Sequence, residues 1–413
     1  LLLLVGKGPA VPELNISGKF TGEFLKAAPE PSKNATLPIF FASILADGPL
    51  KLSNTPQLSD VSTTLRLLMD MGSNFVLEED GSIFIDSSSL TNLTAEYSLV
   101  KTMRASILTL GPMLAKYKKA KISLPGGCAI GTRPVNLHLD ALEKMGATIE
   151  VRNGYIYAKT KELIGANINF DLISVTATEN IIMAATLAKG ITTLNNAAQE
   201  PEVTDLIRCL KKMGAKISGE NTSTLVIEGV DHLSGVEYSI CPDRIEAGTY
   251  LVAAAITGGK ITVNNIEPDA MRAVIGKLIE TGADIQTNQN SIKLDMKGKR
   301  PHPVNIRTSA YPNFPTDMQA QWIAYMALAN GTAHISLGQT PFVQGYLPVQ
   351  VLVDSIRNKI KINKPGFLNS GTEIVTATSV IEPFGSAPLT FKALQKMSAS
   401  KSLTRKYYDP IVK

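Results

Sequence analysis

The stretch LEKMGA at residues 142–147 decides the fold, because it returns almost unchanged as LKKMGA at residues 210–215. Looser copies, LMDMG and LIETGA, stand at residues 68–72 and 278–283, so the four glycines are 74, 68 and 68 residues apart. Each copy ends an amphipathic helical pattern with a glycine, the residue that most readily takes the left-handed conformation beyond a helix end. An alternating segment, typical of a strand, follows each glycine. The sequence therefore predicts a unit of about 70 residues that contains a helix, a glycine stop and a strand.

A second phrase recurs out of phase with the first one. It reads ILADG at residues 44–48, TLAKG at 186–190, AITGG at 255–259 and ALANG at 327–331, and the double gap predicts a degenerate copy near residue 119. Each period then holds two helices and about four short strands, a βαβαββ-like unit that must pack on other units to bury its apolar faces. A chain of 413 residues has room for six such units. We expect two compact domains of three units each, rather than an open solenoid, with a small-molecule site between them.

Composition limits the class of protein. The chain is 44% hydrophobic and 19% charged, as expected for a globular protein of more than one domain. A net charge of +5 without a dense basic stripe disfavours nucleic-acid binding and fits a small anionic substrate. The longest nearly apolar run, residues 37–46, is about half of the roughly 20 residues that a membrane span needs. We therefore expect neither a nucleic-acid partner nor a membrane span.

Cysteine and histidine are too sparse for a disulfide framework or a short-range metal site. The three cysteines, Cys128, Cys209 and Cys241, contain no pair with metal-ligand spacing, and the four histidines are far apart. We expect a reducing, cytoplasmic compartment and a site without a metal.

The loop LPGGCAIGTRPV at residues 124–135 is the most informative stretch for chemistry. Three glycines and two prolines predict an irregular loop that is able to move, and it presents Cys128 together with Arg133. A nearby guanidinium lowers a thiol pKa and favours nucleophilic or proton-transfer chemistry. Cys209, in contrast, lies in an apolar helical pattern. From the residues alone, Cys128 is either a functional thiol or an inert loop cysteine.

Other polar residues at predicted helix starts have both a structural and a functional interpretation. Lys33 and Asn34 precede an apolar helical run, so they either bind an anion at the helix N-terminus or are simply solvated. Arg104 lies on an otherwise apolar helix, as a site residue or as a surface arginine. Asp317 stands at the mouth of another apolar helix, where it is an N-cap or a general base.

Seven phrases between about residues 32 and 329 resemble, in order, the enolpyruvyl transferase family and specifically its UDP-N-acetylglucosamine branch. They are KN at 33–34, KTMR at 101–104, PGGC at 125–128, RPV at 133–135, EPE at 200–202, PDRIE at 242–246 and FPTDMQAQ at 314–321. The resemblance implies an α/β (α+β) fold of two inside-out α/β barrels, each of three βαβαββ repeats. Residues 33–241 would form the first domain, and residues 1–32 plus 242–413 the second. The chain's first strand would belong with the C-terminal half.

The implied reaction joins phosphoenolpyruvate to the 3-hydroxyl of UDP-N-acetylglucosamine and releases phosphate through a tetrahedral intermediate, without a metal or organic cofactor. Cys128 would be the proton donor and the target of the family's epoxide antibiotic, and Asp317 would contact the sugar hydroxyl as its base. Lys33, Asn34 and Arg133 would hold the anionic phosphoenolpyruvate. The nucleotide-sugar site would be lined by Arg104, Arg133, Pro134, Val135, Asn136, Leu137, Ser174 and Val175.

The chain also departs from the family pattern. Ser59 and Leu172 stand where the family usually has Lys. Thr176 stands where it usually has Gly, and Asn136 where it usually has Asp. From about Leu337 onward, the family's Glu-Asn-Arg, Asp-Leu-Arg and Asp-Arg-Gly phrases are absent, so three expected active-site arginines have no counterpart. A non-catalytic homologue that binds a nucleotide sugar is therefore one alternative, and the sister enzyme that uses shikimate 3-phosphate is another.

Overall fold

The computed structural model describes residues 25–100, 103–124, 135–336 and 375–376. The chain divides into two compact units. In the described part, unit 1 holds residues from Glu30 to Asp243, and unit 2 holds residues 25–29 together with those from Arg244 onward. No helix among the described residues has both the length and the apolar character to cross a bilayer.

Short strands and medium-length helices alternate along the whole described chain. The helices are α1 (Lys33–Ala42), α2 (Ser59–Asp70), α3 (Tyr97–Val100), α4 (Leu110–Tyr117), α5 (Asn136–Lys144), α6 (Val175–Ala185), α7 (Pro201–Met213), α8 (Arg244–Ile256), α9 (Arg272–Glu280) and α10 (Gln319–Met326). The strands are β1 (Leu25–Ala27), β2 (Leu50–Ser53), β3 (Asn74–Leu77), β4 (Ile83–Asp86), β5 (Thr94–Ala95), β6 (Lys119–Ser123), β7 (Thr148–Arg152), β8 (Tyr155–Lys159), β9 (Asn167–Asn169), β10 (Ile191–Asn195), β11 (Lys216–Ser218), β12 (Thr224–Glu228), β13 (Glu237–Ser239), β14 (Lys260–Asn264), β15 (Asp284–Asn288), β16 (Ser291–Asp295), β17 (Ile306–Arg307), β18 (His334–Ser336) and β19 (Val375–Thr376).

Unit 1 contains three four-stranded sheets with the same topology. Their strand orders are β13-β2-β4-β3, β5-β6-β8-β7 and β9-β10-β12-β11. In each sheet a long strand pairs in parallel with a short one and antiparallel with the third strand, which pairs antiparallel with the outermost one. The short strand of the first sheet, β13, comes from the C-terminal end of the unit and pairs with β2 near its start. The pairing therefore joins the two ends of unit 1. The predicted repeating α/β unit is confirmed.

The glycine stops have the predicted conformation. Gly72, Gly146, Gly214 and Gly282 have φ angles of 107°, 92°, 113° and 96°, all in the left-handed region that glycine adopts without steric cost. The degenerate copy expected near residue 119 is also present. There α4 ends at Tyr117, and Lys118 takes the left-handed conformation with φ 64°.

The helices at the centre of unit 1 are buried on every side. All residues from 35 to 42 of α1 and from 177 to 185 of α6 are buried, and α4 packs against α6. The apolar run at residues 37–46 is therefore a core segment, in which Phe40 and Phe41 have no exposed surface. Because the helices lie inside and the strands carry exposed residues on their outer faces, the arrangement has the predicted inside-out character.

Unit 2 begins with a complete sheet of the same type. Its order is β1-β14-β16-β15, and β1 pairs in parallel with β14, so the early strand belongs with the C-terminal half, as predicted. A second sheet contains β17, β18 and β19. The core of unit 2 includes Trp322, which makes edge contacts with Phe314 and Tyr325 at centroid distances of 5.2 and 5.6 Å. The assignment of three repeats to this unit stays a prediction, since most residues beyond 336 lie outside the described part.

Gly214→Ala should lower the free energy of unfolding by about 1–2 kcal/mol, because alanine incurs the left-handed conformational penalty that glycine avoids. A Cβ at Gly214 would meet no atom within 4 Å, so the cost is conformational and not steric. Lys118→Gly is the matched control and should leave the unfolding free energy unchanged or raise it. Denaturant unfolding of both variants measures the difference, and equal destabilisation by the two changes would contradict the argument.

Candidate functional site

The N-terminus of α1 has the features of an anion site. Ser32 caps the helix by accepting a hydrogen bond from the Ala35 amide at 3.4 Å, and its carbonyl oxygen accepts one from the Thr36 hydroxyl at 2.7 Å. Lys33 is half-buried and Asn34 is exposed, and the first turn carries no acidic residue. Helix N-termini with free amides favour negative charge, so the predicted anion-binding role of Lys33 and Asn34 has a suitable location.

Lys33 is paired with a carboxylate that the sequence analysis missed. Its Nζ lies 3.1 Å from Oδ2 of Asp60, in the first turn of α2, directly after Ser59. Both side chains are more than a third exposed, at 39% and 36%, so solvent screens the pair and it contributes little to stability. An incoming anion would therefore compete with Asp60 for the ammonium group. An acidic residue in the first turn of a helix is common, because it interacts favourably with the helix dipole. The position of Asp60 in the sequence therefore did not identify it as a partner of Lys33.

The loop that carries Cys128 replaces a turn found in the other repeats. Cys128, Arg133 and Pro134 lie outside the described residues, but the loop's flanks are described. Twelve residues separate β6 from α5, whereas five separate β2 from α2 and β10 from α7. On one flank the Leu124 amide donates to the Gly154 carbonyl at 2.8 Å, and on the other Val135 is the N-cap residue of α5.

The shorter turns have an asparagine that the Cys128 loop lacks. Asn54 and Asn196 follow β2 and β10 with φ angles of 55° and 56°. Their side-chain amides donate to the carbonyls of Ile240 and Phe170 at 2.7 and 2.8 Å, which fastens each long strand to its short parallel neighbour. The corresponding position after β6 is Leu124, whose side chain has no amide group. The replacement of asparagine by Leu124 is visible in the sequence, and it could have indicated that the second repeat differs from the others at this loop.

Three of the predicted nucleotide-sugar segments lie next to helices that pack together in unit 1. Arg104 begins a 3₁₀ turn (Arg104–Thr109), although its side chain lies outside the described part. Val135, Asn136 and Leu137 form the start of α5. Ser174 caps α6 by accepting from the Ala177 amide at 3.3 Å, and Val175 is the first residue of that helix. Both α4, which follows the 3₁₀ turn, and α5 pack against α6.

Two departures from the family pattern lie at the start of α6. Leu172, where the family usually has Lys, is 70% exposed, so the change removes a charge from the surface beside the helix N-terminus. Thr176, where the family usually has Gly, lies with its Oγ1 3.4 Å from Nε2 of His138 on α5. These residues change the edge of the predicted site and not its core.

A cluster of carboxyl groups lies behind the predicted site. Glu179 on α6 is buried, and its Oε1 atom has no hydrogen-bond partner among the described residues. Burial raises the pKa of Glu179 well above its usual range, and the nearby charges of Glu202 and Glu200 raise it further. Burial and the neighbouring carboxylates therefore both favour the protonated form of Glu179. Within the described residues, no group of three or more His, Cys, Asp or Glu side chains is arranged to hold a metal ion.

Both described cysteines have thiols whose pKa is raised. Burial raises the pKa of Cys209 to about 12, and it also raises the pKa of Cys241, whose backbone amide donates to Oδ2 of Asp205 at 3.2 Å. Thiolates are the reactive form of cysteine. The prediction that Cys209 lies in an apolar helix is confirmed, because it is fully buried on α7.

Asp317 does not cap a helix, so the N-cap interpretation is wrong. It is the second residue of a 3₁₀ turn (Thr316–Met318) whose N-cap residue is Pro315, and the N-cap residue of α10 is Met318. Neither helix has a side-chain cap hydrogen bond. The Asp317 side chain is exposed, and no described residue forms a hydrogen bond or ion pair with its carboxylate. A general base needs an accessible carboxylate of this kind, but that role stays a prediction.

Comparison with known proteins identifies the family. A family model described as EPSP synthase (3-phosphoshikimate 1-carboxyvinyltransferase) matches residues 16–340. The chain belongs to this family of enolpyruvyl transferases. The family match ends close to Leu337, where the motifs of the sequence analysis also end.

Curated relatives share more than half of their residues with this chain over the matched region. A protein of Ruthia magnifica subsp. Calyptogena magnifica is 74% identical over 305 residues, which cover 74% of this chain and 73% of the relative. One of Hydrogenovibrio crunogenus is 53% identical over 322 residues, covering 78% and 77%. Both are named UDP-N-acetylglucosamine 1-carboxyvinyltransferase.

Solved structures of enolpyruvyl transferases have the same fold. The enolpyruvyl transferase NikO from Streptomyces tendae aligns with a TM-score of 0.68 at 19% identity, covering 77% of this chain and 76% of that one. An EPSP synthase from Acinetobacter baumannii aligns with a TM-score of 0.61 at 17% identity, covering 84% and 82%. The predicted α/β fold of this family is confirmed.

Glu179→Gln should raise the free energy of unfolding at pH 7.5 by about 1 kcal/mol or more, because the amide removes the cost of keeping a buried carboxyl protonated. The folded-state pKa is raised, so wild-type stability falls as pH rises above the ordinary value near 4.5. The difference between wild type and variant should therefore shrink as pH falls toward 4.5. Urea unfolding at several pH values measures it, with Glu78→Gln, an exposed change in the same unit, as control. A pH-independent difference would refute the argument.

Proposed function

We propose that this chain transfers the enolpyruvyl group of phosphoenolpyruvate to the 3-hydroxyl of UDP-N-acetylglucosamine and releases phosphate, the first committed step of peptidoglycan synthesis. The observation that carries this proposal is the 74% identity over 305 residues with a protein named for that reaction. The region matched by the family model, residues 16–340, contains the Cys128 loop and the Lys33, Arg104 and Asp317 phrases.

The reaction needs a base, an acid and a site for two anionic groups. The base takes the proton of the sugar hydroxyl as its oxygen bonds to the enol carbon, and the acid protonates the methylene carbon to give a methyl group. The resulting tetrahedral intermediate then loses a methyl proton and phosphate, which restores the carbon–carbon double bond. In our assignment Asp317 is the base and Cys128 is the acid.

The described residues support these roles locally. Lys33 at the cationic N-terminal end of α1 suits the phosphate or carboxylate of phosphoenolpyruvate, because charge-assisted hydrogen bonds and the helix dipole act together there. Ser174 and Val175 present a second helix N-terminus whose first turn has no acidic residue, which suits a diphosphate. Asp317 offers an exposed carboxylate without a described partner.

A non-catalytic homologue that binds the nucleotide sugar is the competing hypothesis, because the last quarter of the sequence lacks the three expected arginines. The assignment of phosphoenolpyruvate as co-substrate, the absence of a cofactor and of nucleic-acid partners, and the cytoplasmic location all stay predictions.

Phosphate release in a mixture of UDP-N-acetylglucosamine and phosphoenolpyruvate separates the two hypotheses. The wild-type protein should release phosphate, and Cys128→Ala should reduce the rate by about 10²-fold or more, since general acid catalysis contributes about that factor. Cys209→Ala, a change at the inert cysteine, is the control and should retain activity in the folded protein. No release by folded wild-type protein would sink the enzyme hypothesis, and release only with shikimate 3-phosphate would move the protein to the sister branch.

Asp60→Asn should lower the KM for phosphoenolpyruvate by about two- to fivefold, because an exposed ion pair is worth about 0.2–1 kcal/mol and the competing charge is removed. Asp70→Asn, at the other end of the same helix, is the control and should leave this KM unchanged. The KM for UDP-N-acetylglucosamine should not change in either variant. An increase in the phosphoenolpyruvate KM of Asp60→Asn would show that Asp60 orients Lys33 for binding and does not compete with the substrate.

A further inference from the structure

We propose that Asn180 is a positioning residue for the nucleotide-sugar site, which it sets through His138 and the backbone of the Arg104 turn. The inference rests on the proposed function and adds a residue that neither the family motifs nor the sequence analysis assigned. Asn180 lies on α6, one turn beyond Val175, and has no exposed surface. It acts from behind the site and touches no substrate.

The side-chain amide of Asn180 joins three separate segments of unit 1. Its Oδ1 accepts a hydrogen bond from the Gly111 amide at 2.7 Å, at the start of α4. Its Nδ2 donates to the Ile107 carbonyl at 3.2 Å, in the turn that Arg104 begins. The same Nδ2 lies 2.9 Å from Nδ1 of His138, two residues after Asn136 on α5. Each of these segments carries, or directly follows, predicted substrate-binding residues.

The donors and acceptors fix the orientation of every group in this cluster. Gly111 N–H is a donor only, so the atom that faces it must be the amide oxygen. Both hydrogens of Nδ2 then point to Ile107 and His138, and Nδ1 of His138 must accept. His138 is therefore neutral with its proton on Nε2, which faces Thr176 Oγ1 at 3.4 Å, on the first turn of α6. The cluster thus runs from the Arg104 turn through α5 to the N-terminus of α6.

The packing around Asn180 leaves little freedom to rearrange. A Cβ added at Gly111 would lie 2.3 Å from the Asn180 carbonyl oxygen and 2.5 Å from Oδ1, so only glycine allows α4 to approach this closely. His138 is only 4% exposed. Because both donor hydrogens and one of the two acceptor positions of the amide are used, a change in donor pattern must move at least one of the joined segments.

A feature of this chain extends the cluster to the site edge. Thr176 stands where the family usually has glycine, and glycine has no hydroxyl to meet His138. The threonine therefore ties the first turn of α6, which holds Val175, to the start of α5, which holds Asn136. This connection assigns Thr176 a role in holding the two nucleotide-sugar segments in register.

The test measures UDP-N-acetylglucosamine binding by calorimetry, which does not require turnover. Asn180→Asp keeps the shape and the acceptor for Gly111 but loses both donors, so the dissociation constant should rise about tenfold, since small displacements of binding groups are costly. His138→Phe and Thr176→Val remove single connections while leaving Asn180 in place, and each should raise the constant by about two- to fivefold. The KM for phosphoenolpyruvate should change less than that for the nucleotide sugar in all three.

Ser87→Ala is the matched control in the same unit. Ser87 is fully buried, and its hydroxyl meets those of Ser43 and Ser73 at 2.7 and 2.8 Å, remote in sequence from the three segments. It should lower thermal stability without changing the dissociation constant. Unchanged binding in His138→Phe and Thr176→Val, or an equal loss in Ser87→Ala, would overturn the positioning role. Absence of binding by the wild-type protein would instead refute the proposed substrate.

Discussion

The burial of α1 and α6 on every side is the constraint on which the rest of unit 1 depends. A helix with no solvated face must satisfy each of its polar side chains inside the core, and only its ends can reach solvent. At the N-terminal ends of both helices, Lys33 and Val175 are half-buried rather than fully enclosed. Free amides and the positive end of the helix dipole meet solvent there, so the fold itself supplies the anion-binding positions that the proposed reaction needs.

The same constraint explains the unusual polar groups of the core. Asn180 uses both of its side-chain donor hydrogens and its amide oxygen, and it joins segments that lie about 40 to 70 residues from it in the sequence. Glu179, its neighbour on α6, lacks a partner for Oε1, and burial raises its pKa accordingly. One buried polar residue therefore joins several segments, and the adjacent one has a side-chain oxygen without a described partner. Such contrasts are typical near functional sites, where local rules are violated and the remaining core compensates.

The three repeats of unit 1 differ in the connection that follows the long strand of each sheet. In the first and third repeats, the long strand ends in a left-handed asparagine that holds the short parallel strand. In the second repeat this asparagine is absent and a longer loop with Cys128 takes its place. A scaffold of three equivalent units thus has a five-residue connection at two of these positions and a twelve-residue connection at the third. The partly exposed ion pair between Lys33 and Asp60 is weak, so an incoming anion could displace Asp60 from the ammonium group.

The sequence by itself determined the period of the fold, the glycine stops, the apolar helix that holds Cys209 and the position of Lys33 at a helix start. These are local properties: left-handed glycines, apolar periodicity and caps depend on residues within a turn or two of one another. Of the two interpretations that the sequence offered for Asp317, the N-cap was wrong because a 3₁₀ turn moves the helix start past that residue. Only the tertiary structure showed Asp60 beside Lys33, the role of Lys118 in place of a glycine, and the convergence of Ile107, Gly111 and His138 on Asn180. Contacts of this kind join residues that are distant along the chain, and they exist only once the helices are packed together.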